Sequence, residues 1–416
     1  MSEQVVVVGA GQAGLSVSRE LTQAGVEHVV LEKGRIGETW RGRWDNFCLV
    51  TPNWSVQLPG HHYDGDDPDG FMTHHETVGY LARYAARFEA PVHEGVAVTS
   101  LRPRSTGGFS IETSAGPLTA KKVVLATGAF QRPHRMAASA TLPADLLQLD
   151  VEDYRNPAEL PAGAVLVVGS GQSGCQIAEE LHEAGRDVFV SCGRAMWSPR
   201  RIGDRDLVWW LLATGDLDDL VSSLPSPEAR LFGNVQATGH GGGHDLHYRT
   251  LRKAGVTLLG RFLGAEGRRA RFAPDLAESV AWADERHSQF MDRIRRVVAE
   301  HGLLPVDIPE PEPFDPDAPE ELDLSGCGAV LFAGGFRPDY ASWVGFPGAF
   351  DEFGFPVHEE GESTAAPGLH FVGVHWLRKR KSSALIGVGE DAAIVAGRIA
   401  GLSPADRSAG RSGDGG

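Results

Sequence analysis

The sequence predicts an α/β fold made of two Rossmann-like dinucleotide-binding units, the second inserted into the first. Three observations carry this. Two G-x-G-x-x-G stretches, Gly9 to Gly14 and Gly169 to Gly174, each follow a valine-rich run and open a helical pattern. The two copies align without a gap from Gly9 and Gly169 to Glu32 and Cys192. Two further apolar runs, Val123 to Ala126 and Ala329 to Ala333, end in Thr127-Gly128 and Gly334-Gly335.

Val5 to Val8 is an unbroken apolar run, the pattern of a strand buried on both faces. A helical pattern runs from Gly14 to about Ala24 and stops at Gly25, and Val29 to Leu31 is a second strand ending at Glu32. This is a β-α-β unit. The plan recurs as strand Val165 to Val168, helix Gly174 to Ala184, stop Gly185 and strand Val188 to Val190. Pro- and Gly-marked segments, Pro52 to Gly70 and Pro91 to Pro117, separate the copies, and the Pro-rich acidic stretch 304–318 reads as a surface connection. The expected first domain comprises residues 1–155 and 325–402, the second comprises 156–324, and 403–416 is a flexible tail.

Composition narrows the functions. A chain of 416 residues suits two domains of ordinary size. A net charge of -16 repels phosphate backbones, so a nucleic-acid partner is not expected. Cys48, Cys175, Cys192 and Cys327 form no C-x-x-C pair, which argues against a zinc ribbon or a thioredoxin-type redox pair. The N-terminus enters a strand without a signal-like segment and no apolar run is long enough to span a bilayer, so the expectation is a cytoplasmic protein without a membrane partner.

In the first unit, Gly9 permits a tight turn, Gly11 lets the backbone approach a pyrophosphate, and Gly14 lets helix and strand pack closely, with Gln12 and Ala13 between them. The helix start adds free N–H groups and the positive end of a dipole. Glu32 ends the second strand, where a carboxylate accepts hydrogen bonds from a ribose diol. The second unit repeats the loop as Gly169, Gly171, Gln172, Ser173 and Gly174, but Cys192 replaces the acid. Arg194 follows two residues on, and then Arg200 and Arg201. Guanidinium forks match phosphate oxygens, so this unit should prefer NADPH, with its 2′-phosphate, over NADH.

Two such units, with a strand ending in Ala126-Thr127-Gly128, resemble the two-dinucleotide-binding flavoproteins. More narrowly, residues 4 to 401 resemble the flavin-containing monooxygenases, including their YUCCA-like members. The resemblance implies FAD in the first unit and NADPH in the second. It implies that Trp40, Arg41 and Thr51 touch FAD and that Asn53 approaches the reacting face of the flavin. The expected cofactor contacts are completed by Lys33, Gln57, Val98, Ala126, Thr127, Gly128, Ser191, Gly335 and Asp391. Gly387 to Ala392 looks like the family's last flavin-facing segment. The basic run Arg378 to Lys381 before it reads equally as a solvated face or a phosphate or substrate contact.

The implied reaction has two halves. NADPH reduces the flavin, and reduced flavin captures dioxygen as a C4a-hydroperoxide that transfers one oxygen to a nitrogen, sulfur or carbonyl carbon of a small substrate. The family carries an F-x-G-x-x-x-H-x-x-x-[FY] signature between its nucleotide units. Here the matching stretch holds Ala144, Leu146, Asp150 and Tyr154, so only the tyrosine fits. Asp150 and Tyr154 are accordingly expected at the domain junction, and with Asn53 they form the candidate catalytic set. The departure keeps two alternatives open: an NADPH-dependent flavin oxidase or reductase that oxygenates nothing, and a redox sensor that holds FAD only as a ligand. Oligomeric state, a homodimer included, stays open.

His240, His244 and His247 read as a loop near the nucleotide or substrate rather than a metal site, because the intervening glycines leave nothing to orient the rings. His61-His62 and His74-His75 read as surface or pocket edge. Trp209-Trp210 lies in an apolar helical stretch and reads as packing.

Overall fold

The computed structural model describes residues 2–308 and 310–402. The tail expected at 403–416 lies outside the described residues. The N-terminal valine run forms the strand Ser2–Val8 at the centre of five parallel strands. Leu118–Leu125 and His28–Glu32 flank it, with Leu369–Phe371 and Val92–Glu94 outside them. Alternation explains why the run has no polar member. Val5 and Val7 pack in one core with Leu15, Val17 and Leu21 of the helix Gln12–Gln23. Val6 and Val8 pack in another with Phe109 and Ile111. Those two residues come from Phe109–Thr113, which pairs antiparallel with both Val98–Pro103 and Leu118–Leu125. Both faces of the central strand are therefore covered.

The second sheet repeats this plan. Ala164–Val168 is central, between Cys327–Phe332 and Val188–Ser191, and Leu147–Asp150 and Thr257–Leu259 are outermost. Val165 and Val167 share a core with Ile177 and Leu181 of the helix Gln172–Glu183, and Leu166 and Val168 share one with Phe262 and Phe272. The expected boundaries at 155 and 325 need correction. Leu147–Asp150 and Cys327–Phe332 both hydrogen-bond into the second sheet. The chain instead crosses between sheets at Arg132–Pro133 and Phe336–Arg337, which pair antiparallel with each other. An apolar strand carries no mark of the sheet it joins, so pattern alone misplaced both edges. No described helix is long and apolar enough to cross a membrane.

Candidate active site

The first glycine loop is shaped by the protein's own packing. A Cβ on Gly9, whose φ is 103°, would lie 2.9 Å from the carbonyl oxygen of Ala126, and one on Gly14 would lie 1.8 Å from that of Gly9. A Cβ on Gly11 would meet nothing within 4 Å. The outer glycines are thus demanded by helix and strand, while the middle one faces open space. No side chain caps the helix Gln12–Gln23 at Gly11, which leaves its first-turn N–H groups for an anion. Glu32 is buried at the end of its strand, and its carboxylate accepts from the backbone N–H of Ala10 (2.7 Å) and Gly34 (2.9 Å). These bonds fix the carboxylate while its remaining lone pairs suit a ribose diol.

Other segments converge on this loop. The indole N–H of Trp40 donates to Gln12 Oε1 (3.1 Å), and Gln12 Nε2 donates to the Ser383 carbonyl (3.2 Å). A Cβ on Gly373 would strike Ala13 Cβ at 2.3 Å. Gly373 was missed in the sequence, although it follows an apolar strand as Gly128 follows Ala126-Thr127. Ala126 is buried, Thr127 accepts from Gln131 Nε2 (3.0 Å), and Gly128 accepts from the Tyr340 hydroxyl (2.6 Å). Arg41 and Thr51 are half-buried, and Lys33 and Gln57 are exposed. Val98, half-buried, starts its strand.

The second loop has the same geometry. Cβ atoms on Gly169 and Gly174 would lie 2.5 Å from the Ala333 oxygen and 2.0 Å from the Gly169 oxygen, and one on Gly171 meets nothing within 4 Å. No side chain caps the helix at Gly171. Ser170 Oγ accepts from Gly193 N (3.0 Å), and the Tyr248 hydroxyl donates to the Gly193 carbonyl (2.5 Å) while bonding Ser170 Oγ (2.5 Å). This network ties the turn that presents Arg194 to the glycine loop. Arg194 is exposed and forms no ion pair among the described residues, and Cys192 beside it is buried. Arg201 is also exposed, Ser173 is half-buried, and Gln172 Nε2 donates to the Val235 carbonyl (3.1 Å). Gly335, exposed, accepts at its carbonyl from His134 N.

Several expected site residues are committed elsewhere. Arg200 is 3% exposed, pairs with Asp206 at 2.7 Å, donates to the Val50 carbonyl (2.8 Å) and covers the Phe71 ring. It joins the two units and is not free for a phosphate. The Ser191 hydroxyl donates to the Gly260 carbonyl and accepts from Phe262 N inside the sheet. Asn53 is buried. Its amide donates to the Asp67 carbonyl (2.9 Å) and accepts from Met72 N (2.8 Å), so it staples the 67–72 loop. Asp150 holds Arg135 through two bonds of 2.8 and 2.9 Å at the edge of the second sheet. Tyr154 donates to Glu180 (3.1 Å), which also accepts from Asn46 Nδ2 (3.0 Å), and burial pushes the Tyr154 hydroxyl well above its ordinary pKa. Tyr154 therefore stays a neutral phenol at neutral pH and anchors the junction through Glu180. Asp391 accepts from Arg378 (2.8 Å) at the start of the helix Val388–Ala400, and burial raises its carboxyl.

The basic run is neither solvated nor free. Lys379 and Lys381 both bond Asp218 and Glu390, and Arg380 lies 3.8 Å from Asp216, which Arg293 holds at 2.5 Å. Asp216 and Asp218 come from the inserted unit, so the run clasps the two units together. The histidines also find partners: His244 bonds Glu179 (2.6 Å) and His240 meets Glu183 (3.2 Å), both on the second loop's helix. No described group of three or more His, Cys, Asp or Glu is placed to hold a metal. Trp210 is buried with its N–H on the Ile202 carbonyl, a packing residue. Burial pushes the Cys175 thiol up to about 12, so it is not an attacking thiolate.

Two uncapped helix starts on open glycine cradles, one ending in a carboxylate and the other in an unpaired arginine, define a two-nucleotide flavoprotein oxidoreductase fold. A family model described as pyridine nucleotide-disulphide oxidoreductase matches residues 6–211. The chain is 32% identical to the CzcO-like oxidoreductase of Geobacillus kaustophilus over 93% of this chain and 95% of that protein. It belongs to this CzcO-like family of oxidoreductases. It is also 28% identical to the indole-3-pyruvate monooxygenase YUCCA4 of Oryza sativa, over 50% of this chain and 55% of that one. The flavin-containing monooxygenase from Stenotrophomonas maltophilia shares the fold, with a TM-score of 0.65, 19% identity, and coverage of 96% and 98% of the two chains.

Proposed function

We propose that this protein is an FAD- and NADPH-dependent monooxygenase that uses dioxygen to oxygenate a small organic substrate at nitrogen, sulfur or a carbonyl carbon. The observation that carries the reading is the pair of equivalent cradles, each open only at its middle glycine. Likeness to YUCCA4 and to the bacterial flavin-containing monooxygenase supports the reaction class. The Gly11 loop and the start of its helix hold the FAD pyrophosphate, and Glu32 holds the ribose diol. The Gly171 loop holds the NADPH pyrophosphate, and Arg194 meets the 2′-phosphate. The flavin, when bound, supplies hydride acceptance from the nicotinamide and reduction of dioxygen. The chain positions the two rings and excludes water between the units it clasps. Among its residues we assign no proton-transfer group, because Asn53, Asp150 and Tyr154 are each held in other bonds.

The test is anaerobic mixing of the flavin-loaded protein with NADPH or NADH, followed by an oxygen pulse and rapid-scan absorbance. The expected result is fast bleaching by NADPH, and after oxygen a transient band distinct from oxidised and reduced flavin. Immediate return to oxidised flavin, with every class of acceptor, would replace this reading with an oxidase.

A further inference from the structure

The two crossings between the sheets pair as Arg132–Pro133 against Phe336–Arg337. Beside them opens a cleft of about 820 Å³. That lies within the roughly 300–1,000 Å³ of small-molecule sites. The crossings contribute Arg132, His134 and Arg337 to its lining, and the segment 344–354 contributes Phe346, Phe350 and Phe353, all three half-buried. None of its lining residues belongs to the glycine loops, to residues 40–53 or to residues 373–391.

The three basic groups repel one another. Burial, then Arg337 and Arg132, hold the His134 imidazole below its ordinary value. Burial, then Arg132, lowers the Arg337 guanidinium. Of the carboxylates on the lining, Asp351 is ion-paired with Arg230, and among the described residues neither Asp339 nor Glu352 forms an ion pair with Arg132 or Arg337. Arg132 and Arg337 form no ion pair among the described residues. In a protein of net charge -16, Arg132 and Arg337 form a local cationic pair at this cleft, which an anion can meet.

We infer that this cleft binds a small organic carboxylate, its charge on Arg132 and Arg337 and its aryl or alkyl body against Phe346, Phe350 and Phe353. Guanidinium forks match carboxylate oxygens, and the rings supply the apolar surface that an inorganic anion would not use. The inference is independent of the monooxygenase reading, since it uses neither nucleotide site.

Calorimetric titration of the full-length protein with phenylacetate tests it, with 2-phenylethanol and inorganic phosphate as comparison probes. Phenylacetate should saturate one site, and the alcohol, lacking the charge, and phosphate, lacking the ring, should each bind about ten-fold more weakly or worse. Arg132→Gln and Arg337→Gln should each weaken phenylacetate about ten-fold while flavin absorbance and melting temperature hold. Phe353→Ala should weaken phenylacetate and leave phosphate unchanged. Arg132 is exposed, so its variant decides even if the Arg337 variant does not fold. Absence of saturable phenylacetate binding, equal affinity for phosphate, or binding indifferent to Arg132→Gln would each overturn the proposal.

Discussion

Arg194 and Arg200 look equivalent in the sequence, yet one is exposed with no ion pair among the described residues and the other is walled in by Asp206, Val50 and Phe71. Only the first is available to a 2′-phosphate. Arg194→Ala should raise KM for NADPH roughly ten-fold or more, the value of one lost charge-assisted contact, and leave KM for NADH unchanged. Initial-rate kinetics with both nucleotides check this, and an equal rise in both would remove Arg194 from the phosphate. His247 gives a pH-dependent counterpart. Its Nδ1 accepts from Arg249 N (3.2 Å) to cap the helix Tyr248–Ala254, and burial drops its pKa to about 4. The folded state needs the neutral ring, whose unfolded value is near 6.5. This contribution is complete above that value and is lost as pH falls toward the folded one, amounting to about 2 kcal/mol at pH 5. His247→Asn keeps a side-chain acceptor without titrating. Its denaturation midpoint should therefore fall less than that of the parent between neutral pH and mildly acid pH.

At the scale of elements, the segment 378–381 is the least legible from sequence. Four consecutive cations suggest a solvated face, but Asp216 and Asp218 of the inserted unit and Glu390 and Asp391 of their own unit neutralise them. Asp216 is 3% exposed and serves Arg293 and Arg380 together. Asp216→Asn should cost roughly 3 kcal/mol, because it removes the charge of a buried carboxylate that holds Arg293 and Arg380 together. The exposed pair Arg87–Asp64 supplies the contrast, and Arg87→Ala should cost about 0.5 kcal/mol or less. Chemical denaturation of the two variants side by side reads the difference, and equal costs would mean that the clasp is not a closed contact in solution. The strands tell the opposite story. Their apolar alternation was readable because each face needs its own partner, as the split of Val5 and Val7 from Val6 and Val8 shows.

For the whole molecule, the proposal of one nucleotide in each cradle predicts that the two can be removed one at a time. Gly11 and Gly171 have φ of -82° and -66°, which any residue adopts, and a Cβ at either meets nothing. Gly11→Ala and Gly171→Ala should therefore fold like the parent while filling the space meant for a pyrophosphate. Gly171→Ala should keep its flavin absorbance and bind NADPH about ten-fold more weakly, and Gly11→Ala should lose flavin on gel filtration. Loss of both nucleotides in either variant would contradict separate sites.

By itself the sequence determined the two β-α-β units, their glycine loops and the replacement of an acid by Cys192, because these depend on local backbone geometry and on residues close in the chain. The tertiary structure decided which sheet received the strands Leu147–Asp150 and Cys327–Phe332, since an apolar strand satisfies any parallel neighbour of the right length. It also decided that Asn53, Asp150, Tyr154 and Arg200 are bound into loops and junctions. Their partners (Met72, Arg135, Glu180 and Asp206) answer to distances in space, and a side chain's free hydrogen bonds are known only once every neighbour is in place.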